Sequence, residues 1–145
     1  MKQMNKLMGA LLGGALMMGA LALPATSQAS DKHDKIVIQV SDNDPAKWNL
    51  TLNNVKNVQK VLGKNNVELE IVAYGPGINM LKAEAEVANR VADAVDSGVK
   101  VVACENTMQA QKLTKEDMNS KIGYVPGGVV EIMKREQQGY AYLRP

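Results

Sequence analysis

The chain has 145 residues, with 17 basic and 15 acidic side chains, and contains one cysteine, one histidine and no phenylalanine. The small net charge and the absence of a basic stripe with interleaved aromatic residues exclude a conventional nucleic-acid-binding surface. A single cysteine excludes an internal disulfide and dithiol redox chemistry. Together with a single histidine it cannot form a standard zinc site, so we expect no metal and no cofactor.

Residues 1–29 have the pattern of a secretory signal peptide. Two lysines near the start precede an uncharged run over residues 7–23, which Pro24 ends, and small residues lead up to a cleavage site after Ala29. We therefore expect cleavage there and a periplasmic mature protein. An uncleaved membrane anchor is the alternative, although the run is somewhat short for a spanning helix, which needs about 20 apolar residues.

Residues 30–145 are predicted to form a single domain, since their length fits one compact unit with its own core. Loss of the signal removes two lysines and leaves basic and acidic residues in equal number. His33 lies in a charged segment at the start of this domain. We expect it to be a solvated side chain rather than a metal ligand or a general base.

The first half of the domain begins with a β-branched run over residues 35–41, which predicts a buried strand. Pro45 is well placed at the start of a helix that Gly63 ends. Apolar residues recur along this helix at three-to-four-residue spacing: Trp48, Leu52, Val55, Val58 or Gln59, and Leu62. This pattern indicates one face packed on the sheet, with Trp48 in the core. Residues 67–73 then predict the second strand.

Two glycines flank a proline in the loop that follows the second strand. Gly75 and Gly77 could form an anion-binding nest of backbone N–H groups, or the loop could be only a tight strand-to-helix turn. The next helix is predicted over approximately residues 84–97, with Gly98 as its stop signal.

Residues 99–104 have almost no polar alternation, which is typical of a central parallel strand covered on both faces. Asn106 and Thr107 are predicted to cap a short helix over residues 108–112, and another helical turn is predicted at residues 114–117.

The chain ends with a strand over residues 121–125, a helix over residues 129–138 and a short strand over residues 140–143. Strands alternate with helix-length connections throughout, which predicts an α/β fold, a three-layer α/β/α sandwich with a mostly parallel five-stranded sheet. The order of the strands in the sheet is not readable from the pattern.

Cys104 ends the predicted central strand, at the edge of the sheet where ligands bind in open α/β folds. It could be a buried core residue, as free cysteines often are, or a nucleophile favoured by the start of a helix, with Glu105 opposing the thiolate. Hydrolysis would need a partner base, which the chain lacks. Sulfur transfer through a persulfide, oxidation to a sulfenate, or a mixed disulfide needs only one thiol.

Polar residues and bare backbone near this edge are the candidate substrate-binding groups. They are Tyr74, Gly75, Gly77, Asn79, Asn106 and Thr107. Turn formation and helix capping are the structural alternatives for these residues.

Four segments carry a resemblance to a known family. They are residues 74–78 and 99–108 and, as the most specific, residues 122–129 and 138–145. With these segments the chain resembles the DsrE/DsrF-like family, which includes TusD-related sulfur carriers, over essentially the whole mature length. The exported signal and the C-terminal tail differ from those of the cytoplasmic carriers.

The resemblance implies a three-layer α/β fold, a homo-oligomer (trimer or hexamer) and a persulfide carried on Cys104. A sulfur donor or acceptor protein, or a small sulfur anion, would be the partner. We therefore expect an exported sulfur carrier or sulfurtransferase-like protein that binds neither nucleic acid nor, after signal cleavage, the membrane. The alternative is a non-catalytic oligomeric module that binds a small ligand or a partner and has a structural cysteine.

Overall fold

The computed structural model describes residues 34–145, so the predicted signal peptide and His33 lie outside the described residues. Five strands form one sheet in the order β4-β3-β2-β1-β5, and every neighbouring pair is parallel. The strands are β1 (Asp34–Val40), β2 (Val67–Ala73), β3 (Lys100–Cys104), β4 (Gly123–Val125) and β5 (Ala141–Leu143). The predicted α/β fold with a parallel five-stranded sheet is confirmed.

Four α-helices and two 3₁₀-helices connect the strands in the described part of the chain. The α-helices are α1 (Pro45–Leu62), α2 (Ala88–Asp96), α3 (Glu105–Ala110) and α4 (Gly128–Gln137), and the 3₁₀-helices are Gly75–Leu81 and Lys115–Asp117. No helix between residues 34 and 145 is long and apolar enough to cross a membrane.

The core lies in two clusters on opposite faces of the sheet. On the larger face, α1 and α2 pack against inward-facing residues of β1, β2 and β3, and Trp48 is 5% exposed within this cluster, as predicted. On the smaller face, Ile132 of α4 packs against Val37, Val72 and Val102. The two sides of each central strand are therefore both covered, which explains why β3 is apolar without alternation.

The boundaries of α1 follow from its end residues. The carboxylate of Asp44 accepts a hydrogen bond from the N–H of Ala46 at 2.9 Å, and Pro45 occupies the first turn, where its missing N–H has no cost. Gly63 ends the helix with φ of 90°, a conformation that side chains with a Cβ rarely adopt.

Two helix predictions need correction. The helix predicted over residues 84–97 is only Ala88–Asp96, because the preceding segment forms turns and Lys82 makes an isolated bridge to Met118. The helix predicted over residues 108–112 begins at Glu105 instead, with Cys104 at the N-cap position. Asn106 and Thr107 thus lie in its first turn and do not cap it.

Candidate functional site

The strand order creates a crevice between the carboxyl ends of β3 and β4. The connection after β3 enters α3, whose Met108 belongs to the larger core cluster, whereas the connection after β4 enters α4 on the opposite face. Parallel sheets bind ligands where successive connections diverge in this way. Cys104 pairs in register with Val125 at this edge, so the thiol lies at the point of divergence.

Cys104 Sγ is surrounded by hydrogen-bond donors from both diverging connections. The side-chain hydroxyl of Thr107 and the backbone N–H groups of Gly128, Thr107 and Asn106 lie close enough to Sγ to favour its thiolate form. The two connections are also joined directly, since the N–H of Asn106 donates to the carbonyl oxygen of Pro126 at 3.2 Å. The alternation of side chains along β3 places Cys104 on the same face as Val102, toward α4.

These donors determine the direction in which the pKa of Cys104 is shifted. Burial disfavours the charged thiolate and raises the pKa of Cys104, but the hydrogen bonds from Thr107, Gly128 and Asn106 favour the thiolate and outweigh burial. The pKa of Cys104 therefore lies below its ordinary value. Glu105, the carboxylate expected to oppose this, is exposed to solvent.

The thiol itself lies just below the surface. Cys104 is 5% exposed, whereas its neighbours Glu105 and Asn106, and Pro126 across the crevice, are exposed. A reagent that reaches Sγ must therefore enter the crevice between α3 and α4.

Thr107 connects the thiol to the loop after β2. Its hydroxyl oxygen accepts a hydrogen bond from the N–H of Gly75 at 3.0 Å, and Gln111 Nε2 donates to the carbonyl oxygen of Gly75 at 3.2 Å. The hydroxyl thus accepts from Gly75, which leaves its own proton available to the Cys104 thiolate. Of the predicted candidates, the structure brings Gly75, Asn106 and Thr107 together around Cys104.

Gly77 has a packing role in this loop. A Cβ at Gly77 would lie 2.3 Å from the carbonyl oxygen of Val40, so only glycine allows this close approach to the end of β1. The N–H of Gly77 donates to the carbonyl oxygen of Tyr74 at 3.1 Å. The N–H groups of Gly75 and Gly77 both have partners within the chain, and the loop forms the start of the 3₁₀-helix Gly75–Leu81, which the sequence did not predict.

Tyr74 packs against the start of α4. A Cβ at Gly128 would lie 2.9 Å from Tyr74 Cβ and Cδ1, so Gly128 is required where the tyrosine crosses it. Burial raises the pKa of Tyr74. Tyr74 therefore lies beside the start of α4, next to one of the groups that face Cys104.

Asn79 does not contribute to the Cys104 crevice. Its side-chain amide donates to Asn43 Oδ1 at 3.2 Å, in the segment after β1, rather than to a residue of the Cys104 crevice.

Gly128 is a site residue that was not among the candidates from the sequence. The Pro126-Gly127-Gly128 turn after a predicted strand was the available signal, but the N–H donor could be assigned only once α4 was positioned.

Among residues 34–145, no cluster of three or more histidine, cysteine, aspartate or glutamate side chains could hold a metal ion.

The fold and the crevice together define a class of protein. It is a parallel α/β domain with a thiol of lowered pKa at its topological switch point. The sequence model of the DsrE/DsrF-like family matches residues 34–145, and the chain therefore belongs to the DsrE/DsrF-like family.

Two solved structures are similar to this chain. The protein of unknown function MTH1491 from Methanobacterium thermoautotrophicum is 31% identical, with a TM-score of 0.74 over 77% of this chain and 99% of that one. The conserved protein of unknown function BT1422 from Bacteroides thetaiotaomicron is 14% identical, with a TM-score of 0.66 over 81% of this chain and 99% of that one, and shares the fold. No curated protein matches the chain.

Proposed function

We propose that this protein is a sulfur carrier, or a sulfurtransferase-like protein, that holds sulfur as a persulfide on Cys104. The observation that carries the proposal is the set of donors around Sγ, from the first turn of α3 and the start of α4, which favours the nucleophilic thiolate. Membership of the DsrE/DsrF-like family supports the same chemistry.

The reaction is an exchange at sulfur without net oxidation. The Cys104 thiolate attacks the outer sulfur of a donor persulfide or of thiosulfate. A bond forms between Sγ and that sulfur as the donor's S–S bond breaks, and the electron pair leaves with the donor thiolate or with sulfite. A nucleophile on the acceptor then takes the outer sulfur in the same way, which regenerates the thiolate.

The partners and compartment belong to the same proposal. The sequence pattern of residues 1–29 supports export to the periplasm, where a sulfur donor or acceptor protein or a small sulfur anion would meet the crevice. A homo-oligomer, trimer or hexamer, is supported by four large apolar side chains that are 45–63% exposed on and beside α4: Val129, Val130, Met133 and Tyr142.

A second function is favoured by a different observation. Cys104 is only 5% exposed, which suits a non-catalytic oligomeric module that binds a small ligand or a partner and uses the cysteine for packing. In this function the hydrogen bonds to Sγ would serve to join α3 to α4 rather than to activate a nucleophile.

The reactivity of the Cys104 thiol distinguishes the two proposed functions. Purified protein is incubated with thiosulfate or polysulfide and weighed by intact mass spectrometry, with Cys104→Ser as the matched control. The carrier requires a gain of one sulfur atom that the control lacks and that cyanide or a thiol removes. A thiol that takes up no sulfur, and that reacts with maleimide only after denaturation, supports the binding module and rejects the carrier.

A further inference from the structure

A second concave site lies between α1 and α2, on the face of the sheet away from α4. This α1–α2 groove has a volume of about 400 Å³. Its floor is apolar and consists of Leu52, Val55 and Ala94, each at most 8% exposed. The volume falls in the range of about 300–1,000 Å³ that is typical of small-molecule sites.

The groove is held open by side-chain hydrogen bonds at both ends. At one end, Gln59 Nε2 donates to the carbonyl oxygen of Ser97 at 2.9 Å, and Ser97 Oγ donates to Gln59 Oε1 at 3.1 Å. At the other end, Arg90 donates to the side-chain oxygens of Asn49 and of Asn53, the latter at 2.7 Å. The two helices are therefore fixed at a set separation, and the space between them exists without a ligand.

The rim of the groove is strongly basic. Lys56, Lys60, Lys64 and Arg90 line it, against a single carboxylate from Asp93. Lys56 and Lys60 are four residues apart on α1 and therefore lie on the same face of the helix, whereas Lys64 follows its end. Within residues 34–145 none of these four cations forms an ion pair, and Arg90 contacts only neutral amide oxygens.

We infer that the α1–α2 groove binds a small organic anion with an apolar body, of the class of medium-chain carboxylates. The apolar body would lie over Leu52, Val55 and Ala94 and against the methylene stems of the rim lysines, where it displaces water from hydrocarbon. The carboxylate would lie at the rim among Lys56, Lys60 and Arg90, which lack a carboxylate partner of their own. This site is independent of Cys104, whose side chain is on the opposite face of the sheet.

The probe is decanoate, titrated into the full protein by calorimetry below the concentration at which it aggregates. Decanol and butyrate serve as matched ligands, one without the charge and the other without the long apolar body. Saturable binding of one decanoate per chain, with weaker binding of both matched ligands, supports the inference. Absence of saturable binding, or equal binding of decanol, overturns it.

Charge-reversal variants locate the site. The double variant Lys56→Glu with Lys60→Glu is expected to weaken decanoate binding by about tenfold, since two exposed attractive charge contacts become repulsive. The control double variant, Lys112→Glu with Lys134→Glu, changes the net charge equally at exposed positions outside the groove. An equal loss in both double variants overturns the inference, because it would reflect overall charge.

A third variant distinguishes ligand binding in the α1–α2 groove from the proposed function at Cys104. Cys104→Ser is expected to retain decanoate binding within about twofold, whereas it abolishes sulfur uptake. Loss of decanoate binding in Cys104→Ser would place the ligand at the Cys104 crevice and overturn the groove.

Discussion

The N–H of Gly75 donates to the hydroxyl oxygen of Thr107 at 3.0 Å, which ties the loop after β2 to the first turn of α3 beside Cys104. Because this hydrogen bond occupies a lone pair of the hydroxyl oxygen, the hydroxyl proton is free to point at Sγ. The loop after β2 thus positions the group that favours the thiolate.

Replacing Thr107 with valine is expected to raise the pKa of Cys104, because the side-chain hydrogen bond that lowers it is lost while the shape is nearly kept. The rate of reaction with maleimide at neutral pH should fall by about tenfold or more, since a hydrogen bond to a charged group contributes about 1.5–3 kcal/mol. Thr107→Ser keeps the hydroxyl and is the matched control. The pH dependence of alkylation measures the shift, and an unchanged profile in Thr107→Val would contradict this role.

Substituting Gly128 with alanine should destabilise the protein by about 1–3 kcal/mol, because the added Cβ would overlap the side chain of Tyr74. The same substitution in a Tyr74→Gly background should cost much less, since the overlapping Cβ, Cγ and Cδ1 atoms are gone. Urea unfolding of the four proteins gives the coupling energy. Equal costs in the two backgrounds would show that the Tyr74 contact does not explain the glycine.

Glu70 is a buried carboxyl group in the interior of β2, on the face covered by α4. Its side chain is 2% exposed and lies 2.5 Å from Arg135 Nε and 3.3 Å from Lys100 Nζ. The Arg135 contact is close but not aligned as a hydrogen bond, so attraction between charges maintains it. Burial raises the pKa of Glu70, whereas the pKa of the neighbouring Glu131 is lowered against the effect of its own burial, by Glu70 and Arg135. As the pH falls, Glu70 is therefore the first of the two carboxylates to take up a proton.

The raised pKa predicts how stability depends on pH. The folded state binds the Glu70 proton more tightly than the unfolded state, so this stabilisation is complete below the ordinary pKa of 4.5 and is lost as the pH rises through the raised value. Glu70→Gln imitates the protonated form and should lack this loss. The free energy of unfolding of the wild type should therefore fall relative to that of Glu70→Gln as the pH rises above 4.5. A relative rise would contradict the assignment of the proton.

Tyr140 is expected to be the last tyrosine to ionise. Burial, followed by the hydrogen bond from its hydroxyl to Glu68 at 2.7 Å, raises the pKa of Tyr140 to about 12. In an absorbance titration of the folded protein, Tyr140→Phe should remove the highest phenolate transition and leave the others in place. Circular dichroism at each pH is the control for folding. Loss of a transition near pH 10 instead would contradict the predicted shift.

Much of the architecture follows from local sequence patterns. Pro45 and Gly63 mark both ends of α1, and the unbroken apolar run before Cys104 marks a central strand, because each pattern reports local backbone preference and burial. The position of Cys104 at the carboxyl edge follows from the same reasoning. Helix limits near Asn106 were less accurate, since several nearby polar residues could serve as the cap.

Strand order, the donors around Cys104 and the α1–α2 groove were decided only by the tertiary structure. The unbroken apolar sequence of β3 indicates that both faces are covered, but it carries no information on which strands are its neighbours. The hydrogen bond from Gly75 to Thr107 and the contact of Gly128 with Tyr74 join residues from separate connections. Such contacts depend on how the helices pack across the sheet, which a local pattern along one chain does not contain.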